Sequence, residues 1–124
     1  MGNVLIVDDS STMRRIISRS LTLAGFVFDT IYEACDGIEG RNVVTSVPQL
    51  DLVLADINMP NMDGFEFSRE IRALGYMVPI VIISSETGEE REAEAISAGA
   101  SFCIKKPFTH EKLHEMLSDR KSVV

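Results

Sequence analysis

Four places in this 124-residue chain set chemically active side chains directly after a short apolar run. Asp8 and Asp9 follow residues 4–7, and Asp56 follows 52–55. Ser84 and Ser85 follow 80–83, and Lys105 and Lys106 follow 102–104. Short, wholly apolar runs suit strands buried on both faces of a parallel sheet. In such sheets ligands bind beyond the carboxyl ends of the strands, so all these groups would share one edge and three carboxylates could converge. Two carboxylates about 4 Å apart repel by roughly 4 kcal/mol at an effective dielectric of about 20. Three together need a counter-charge, either Lys106 or a divalent cation. A few hard oxygen donors favour Mg2+, which keeps several waters and shares a phosphate oxygen. The same set suits covalent phosphoryl chemistry, with a carboxylate as nucleophile toward phosphorus and cations neutralising the transferred oxygens. Each residue also has a plainer reading: Asp56 as a turn residue, Asp8-Asp9 as helix caps, Lys106 as a solvated lysine like Lys105. No glycine-rich phosphate loop with its following lysine is present.

The elements that must position these groups follow from periodicity. Apolar runs at 4–7, about 27–32, 52–55, 80–83 and 102–104 alternate with helical patterns. That alternation implies right-handed βαβ crossovers and a single-domain, doubly wound α/β fold with helices on both sides of a parallel sheet. The first helix places Met13, Ile16, Ile17, Leu21 and Ala24 on one face, with Ser10 or Ser11 to start it and Gly25 to end it. Arg14, Arg15 and Arg19 fall opposite, as a solvated face or as a docking surface for an acidic kinase or phosphotransfer partner. A second helix at 37–46 carries Gly40 and Arg41 in its interior. A third at 65–74 aligns Phe67, Ile71 and Leu74. The fourth, at 88–98, is rich in Glu89, Glu90, Glu92, Glu94 and alanine with Ile96 as its large apolar anchor, and should be the loosest. The last opens near Thr109 and buries Leu113, Met116 and Leu117. The ordered core should span about 3–119, with 120–124 as a tail. His110 and His114 stand four apart, a metal-gripping spacing, but with no third ligand they read as a solvent-facing pair. The six methionines read mostly as core gap-fillers.

Nineteen acidic against twelve basic residues give a net charge of −7, which argues against nucleic-acid binding. No apolar stretch is long enough to cross a bilayer, no signal-peptide layout opens the chain, and Cys35 and Cys103 are too few for a disulfide framework. A cytoplasmic location with no membrane contact is the expectation.

Taken together, Val7-Asp8-Asp9-Ser10, Asp56 followed by Met59-Pro60-Asn61-Met62-Asp63-Gly64, Ser84-Ser85, Gly99-Ala100-Ser101 and Lys106-Pro107-Phe108 resemble a response-regulator receiver domain. The likeness covers about 3–119 and is greatest to the stand-alone, chemotaxis-type (CheY-like) members. It implies a flavodoxin-like strand order 2-1-3-4-5 with five helices. It also implies that Asp56 accepts a phosphoryl group from the phosphohistidine of a histidine kinase or phosphotransfer protein. Asp8, Asp9, Asp56 and the Asn58 backbone carbonyl would hold Mg2+, with Mn2+ as a possible substitute. Ser84 and Lys106 would bind the phosphoryl oxygens, Lys106-Pro107 would be cis, and Asn58, Glu86 and Cys103 would modulate the site. Cys103 stands where relatives often carry Tyr or Phe, and Phe102 should point to the other face of its strand. With strands two and five at opposite edges, Cys35 and Cys103 should not meet.

The function so implied is a two-component switch, possibly in chemotaxis, that catalyses only its own phosphorylation and dephosphorylation. Its face of helix 4, strand 5 and helix 5 would be read by an effector protein, the chain being a monomer or a phosphorylation-dependent dimer. Two rivals are a Mg2+-dependent phosphohydrolase, disfavoured by Asn58 where a second acid/base Asp is needed, and a scaffold needing no phosphate.

Overall fold

The apolar runs become strands because each alternates its side chains between two buried faces, and both faces find helices to cover them. The computed structural model describes residues 2–85 and 88–121, the side chains of 119–121 excepted. Among these residues the strands are β1 (Asn3–Val7), β2 (Thr30–Ala34), β3 (Leu50–Asp56), β4 (Ile80–Ser84) and β5 (Phe102–Lys105). The helices between and after them are α1 (Ser11–Leu23), α2 (Gly37–Ser46), α3 (Gly64–Ala73), α4 (Glu89–Ser97) and α5 (His110–Lys121). All strand pairs are parallel, in the flavodoxin-like order β2-β1-β3-β4-β5. The order reverses between β1 and β3, which makes their carboxyl ends the switch point where a crevice forms.

One face of the sheet, with Leu5, Val7, Val53, Ile80, Ile82 and Cys103, packs on α2, α3 and α4 through Val44, Phe67, Ile71 and Ala95. The other, with Val4, Ile6, Leu54, Val81, Ile83 and Phe102, packs on α1 and α5 through Ile17, Leu21, Leu113 and Leu117. Phe102 and Cys103 therefore lie on opposite sides, as strand alternation requires. Both cysteines are free, Cys35 exposed and Cys103 buried.

Several sequence expectations are corrected. The second strand begins at Thr30 rather than near Val27, and runs on through Glu33-Ala34 because its register with β1 is Asn3↔Thr30 to Val7↔Ala34. Val27 is 69% exposed, while Phe26 and Phe28 pack beneath the sheet on the α1/α5 side. Ile16, Leu74 and Ile96 are exposed rather than buried. Phe65, in the first turn of α3, is buried with Phe67 and Ile71, while Leu74 is only the C-cap beyond the helix. Ala95 and Ala98, not Ile96, seat α4 on the core. Met77 is exposed, so it fills no gap. Arg41 is not misplaced in a core but pairs with Glu70 at 2.5 Å, tying α2 to α3. His110 and His114 are exposed, as expected, and His114 adds a contact: its Nδ1–H donates to the Ala24 carbonyl at 2.8 Å, and its ring lies 5.9 Å from that of Phe26. It pins α5 to the C-terminal end of α1. The helix α5 reaches Lys121, and residues 122–124 of the expected tail lie outside the described residues.

Candidate functional site

β1 delivers Asp8 and β3 delivers Asp56 to the two sides of the switch point, and Asp9 follows on the β1–α1 loop. Carboxylate oxygens of Asp8, Asp9 and Asp56 lie within 4.8 Å of one another. Asp8 and Asp56 are buried, at 2% and 8% exposure, while Asp9 is open to solvent. The cluster thus has a dry floor and a wet rim. Lys106, just beyond β5, reaches across with its Nζ 3.2 Å from Asp56 Oδ1 and 3.7 Å from Asp8 Oδ2. The Lys106-Pro107 bond is cis, as the resemblance implied. The sequence reading left the counter-charge open between lysine and metal; the geometry brings the lysine in and leaves negative charge over.

Asp8 carries that excess. Its Oδ1 accepts from the Ser10 N–H at 2.9 Å, but its Oδ2 is buried with no hydrogen-bond partner among the described residues. Burial pushes its carboxyl above the ordinary range, Asp56 and Asp9 add to the rise, and the Ser10 N–H and Lys106 oppose it. An orphaned buried carboxylate oxygen costs about 1–3 kcal/mol or more unless something fills the gap. A hard divalent cation fits this donor set: three carboxylates converging, one of them unsatisfied, with the exposed side leaving room for water ligands. Asn58 is exposed on the loop that follows Asp56, beside this rim.

The remaining site residues sit around that centre. Ser84 is buried at the end of β4, and its carbonyl accepts from the Lys106 N–H at 2.7 Å, linking the β4 and β5 ends. Cys103 is buried against α4, its Sγ–H pointing to the Arg91 carbonyl at 3.9 Å. α4 also lays the Arg91 guanidinium over the Phe65 ring, 6.0 Å from its centroid. Glu86 lies outside the described residues.

Two features escaped the sequence reading. Arg14, taken as part of a wet helix face, is half-buried: its Nη1–H donates to the Asp8 carbonyl at 2.5 Å and its Nε–H pairs with Glu33 at 2.7 Å. It staples β2 and α1 to the loop that holds Asp8 and Asp9. No spacing within α1 signals this, because its partners are Glu33 on β2 and the Asp8 carbonyl after β1. Gly64 is required by close approach, because a Cβ there would stand 2.4 Å from the Asp56 carbonyl oxygen.

This fold, with three carboxylates and a lysine gathered at the switch point, fits a signalling receiver, and the chain belongs to the response regulator receiver domain family, whose match spans residues 4–118. It is thus a receiver domain of the two-component response-regulator type. Among its relatives is a chemotaxis protein CheY homolog of Campylobacter jejuni, 39% identical over 118 residues that cover 94% of this chain and 89% of the relative. In structure it is similar to the chemotaxis response regulator CheY4 of Vibrio cholerae, at 34% identity and a TM-score of 0.83, covering 97% and 98% of the two chains. It is also similar to a chain of the CheX-CheY-BeF3-Mg2+ complex of Borrelia burgdorferi, at 30% identity and a TM-score of 0.83, covering 94% and 87%. The chain is therefore CheY-like, with homologues in chemotaxis.

Proposed function

We propose that Asp56 takes up a phosphoryl group from the phosphohistidine of a histidine kinase or phosphotransfer protein and later loses it to water. One observation carries this reading: Asp56 is a buried carboxylate held 3.2 Å from Lys106 and within reach of two further carboxylates. A Mg2+ ion held by Asp8, Asp9, Asp56 and the Asn58 carbonyl would screen the carboxylates and the phosphoryl oxygens. Asp56 attacks phosphorus with a carboxylate oxygen as the P–N bond to imidazole breaks, leaving an acyl phosphate and a free histidine on the donor. Lys106 balances charge on the transferred oxygens, and the Ser84 hydroxyl donates to one of them. Hydrolysis returns the carboxylate and inorganic phosphate, so the chain catalyses only its own modification.

The added charge would bias α4 and the β4–α4 loop, changing the affinity of the α4–β5–α5 face for an effector. The likeness to the Borrelia CheX–CheY complex supports a chemotaxis protein as that reader, with the chain acting in the cytoplasm as a monomer or a phosphorylation-dependent dimer. No helix among the described residues is long and apolar enough to cross a membrane.

The test is intact-mass spectrometry after incubation with acetyl phosphate and Mg2+. A single phosphoryl adduct, labile to hydroxylamine and absent from Asp56→Asn, is expected. Absence of the adduct from folded wild type, or its persistence in Asp56→Asn, would overturn the reading. Steady turnover of a small phosphate ester would favour the phosphohydrolase instead.

A further inference from the structure

The loop between β3 and α3, which carries Asn58, is tied at both ends. At its far end the Gly64 N–H returns to the Ile57 carbonyl at 2.9 Å, and the Met62 N–H to the Pro60 carbonyl at 2.7 Å. In its middle it is tied to a different element. The Asn61 Nδ2–H donates to Asp36 Oδ2 at 2.8 Å across the gap to the β2–α2 turn. Asp36 is already occupied on its other oxygen, where Oδ1 accepts the Glu39 N–H at 2.8 Å and caps α2. Those two donors hold its carboxyl below the usual range. The two turns also touch beside the bond: a Cβ on Gly37 would fall 2.7 Å from Met62 Cγ and 2.8 Å from the Met62 carbonyl oxygen.

Asn61 has a φ of 68°, a left-handed backbone that most residues avoid and that Asn adopts more readily. A turn needing only that conformation would be served best by glycine. Asparagine there supplies something glycine cannot, a side-chain donor aimed at Asp36.

We propose that Asn61 and Asp36 are positioning residues: their hydrogen bond latches the β3–α3 loop onto the β2–α2 turn and so fixes the path of the Asn58 backbone carbonyl beside the acidic cluster. This rests on the reading of that cluster as a divalent-cation and phosphoryl site. The latch joins β2, at the sheet edge, to the loop leaving β3, so it spans the β1 end where Asp8 sits. Groups that orient a metal's ligands typically change affinity by about 10–100-fold when removed. The bond is exposed and so contributes little to global stability. Its loss should appear in cation affinity rather than in the melting temperature.

The experiment compares four proteins by calorimetric titration with Mg2+, by melting temperature without metal, and by amide exchange of residues 57–63. Asn61→Gly keeps the positive φ and removes the donor. Asp36→Ser keeps a capping oxygen for α2 and removes the acceptor. The exchange D36N/N61D rebuilds the bond with donor and acceptor reversed and leaves the net charge unchanged. Each single variant should raise the Mg2+ Kd by about 10-fold and speed exchange in 57–63, at a nearly unchanged melting temperature. The exchanged pair should return both to within about twofold of wild type. Single variants that bind Mg2+ like wild type, or an exchanged pair as weak as Asn61→Gly, would overturn the latch while wild-type binding and phosphorylation leave the underlying site standing. Wild type that neither binds Mg2+ nor takes the phosphoryl group would remove that site and the latch with it.

Discussion

Helices α3 and α4 cover the same face of the sheet and are held in opposite ways. α3 begins under an Asp63 side-chain cap on the Glu66 N–H and drives Phe65, Phe67 and Ile71 into the core. Its far end is bolted by Arg72, whose Nε–H and Nη1–H donate to the carbonyls of Gly99 and Tyr76 at 2.9 and 2.8 Å. α4 begins at Gly88 with no side-chain cap, and only Ala95 within it is buried. Its C-terminal end is the well-anchored one, where Ala98 packs inward and Gly99 receives Arg72. Its N-terminal half is held by Arg91 over Phe65 and by the long contact from Cys103. The difference teaches where a signal can go. The side of the site built on β1, β3 and α3 is fixed and suited to holding ligands in place; the side built on α4 has little buried area to lose by moving.

The sharpest way to break this comparison is to truncate a large apolar side chain on each helix. Phe67→Ala should cost about 3–5 kcal/mol in chemical denaturation. Ile96→Ala, at a side chain 54% exposed, should stay within about 0.5 kcal/mol. Comparable losses at both positions would mean that α4 is as firmly seated as α3.

The next effect in size belongs to the site between them. Without divalent cations, Asp8→Asn should stabilise the fold by roughly 1–2 kcal/mol, because it removes a buried charge with an unsatisfied oxygen. Wild type should gain melting temperature on adding Mg2+, since the ion binds the native cluster and not the unfolded chain; the variant should gain much less. Equal stability with equal Mg2+ response would show that Lys106 already neutralises the cluster.

A smaller effect separates the two helix starts. Asp63→Ala should cost about 1 kcal/mol, the usual worth of an N-cap. In native-state hydrogen exchange, α4 amides should open more readily than those of α3. Beryllofluoride with Mg2+ should alter protection in α4 and leave α3 unchanged.

The fold was legible in the sequence wherever burial on both faces produced an unbroken apolar run, as in β1, β3 and β4. β2 was misjudged because an edge strand buries less: its pattern is polar at Glu33, and the aromatic residues before it pack without joining the sheet. Helix faces were legible to within one residue of phase, which is why Ile16 and Leu74 fell on the wrong side. Ile96 misled for another reason: the close approach of α4 to β5 admits alanine, so the largest apolar residue is the one excluded. The site's charged centre could be read because strand ends in a parallel sheet share an edge. Arg14 and the Asn61–Asp36 contact could not, because each joins elements whose spacing only the folded chain defines.

The smallest predicted effect reads α4 from beneath. Burial pushes the Cys103 thiol up to about 11, and the thiolate is the reactive form. At neutral pH, roughly one such thiol in ten thousand is ionised, and the side chain is covered besides. Cys35 is exposed, its thiol raised by the neighbouring Glu39 carboxylate, to which it donates. A cysteine-alkylating reagent should therefore label Cys35 first in the folded protein, faster as pH rises, and reach Cys103 only slowly. The unfolded chain releases the Cys103 proton near 9 and the native state near 11, so folding stability should fall as pH rises between those values. Cys103→Ser should lack that slope. With beryllofluoride and Mg2+ present, labelling of Cys103 should quicken, because the helix that covers it is the one with least to hold it down. An unchanged rate would mean that α4 stays as fixed as α3, and the contrast between them would then be one of stability without motion.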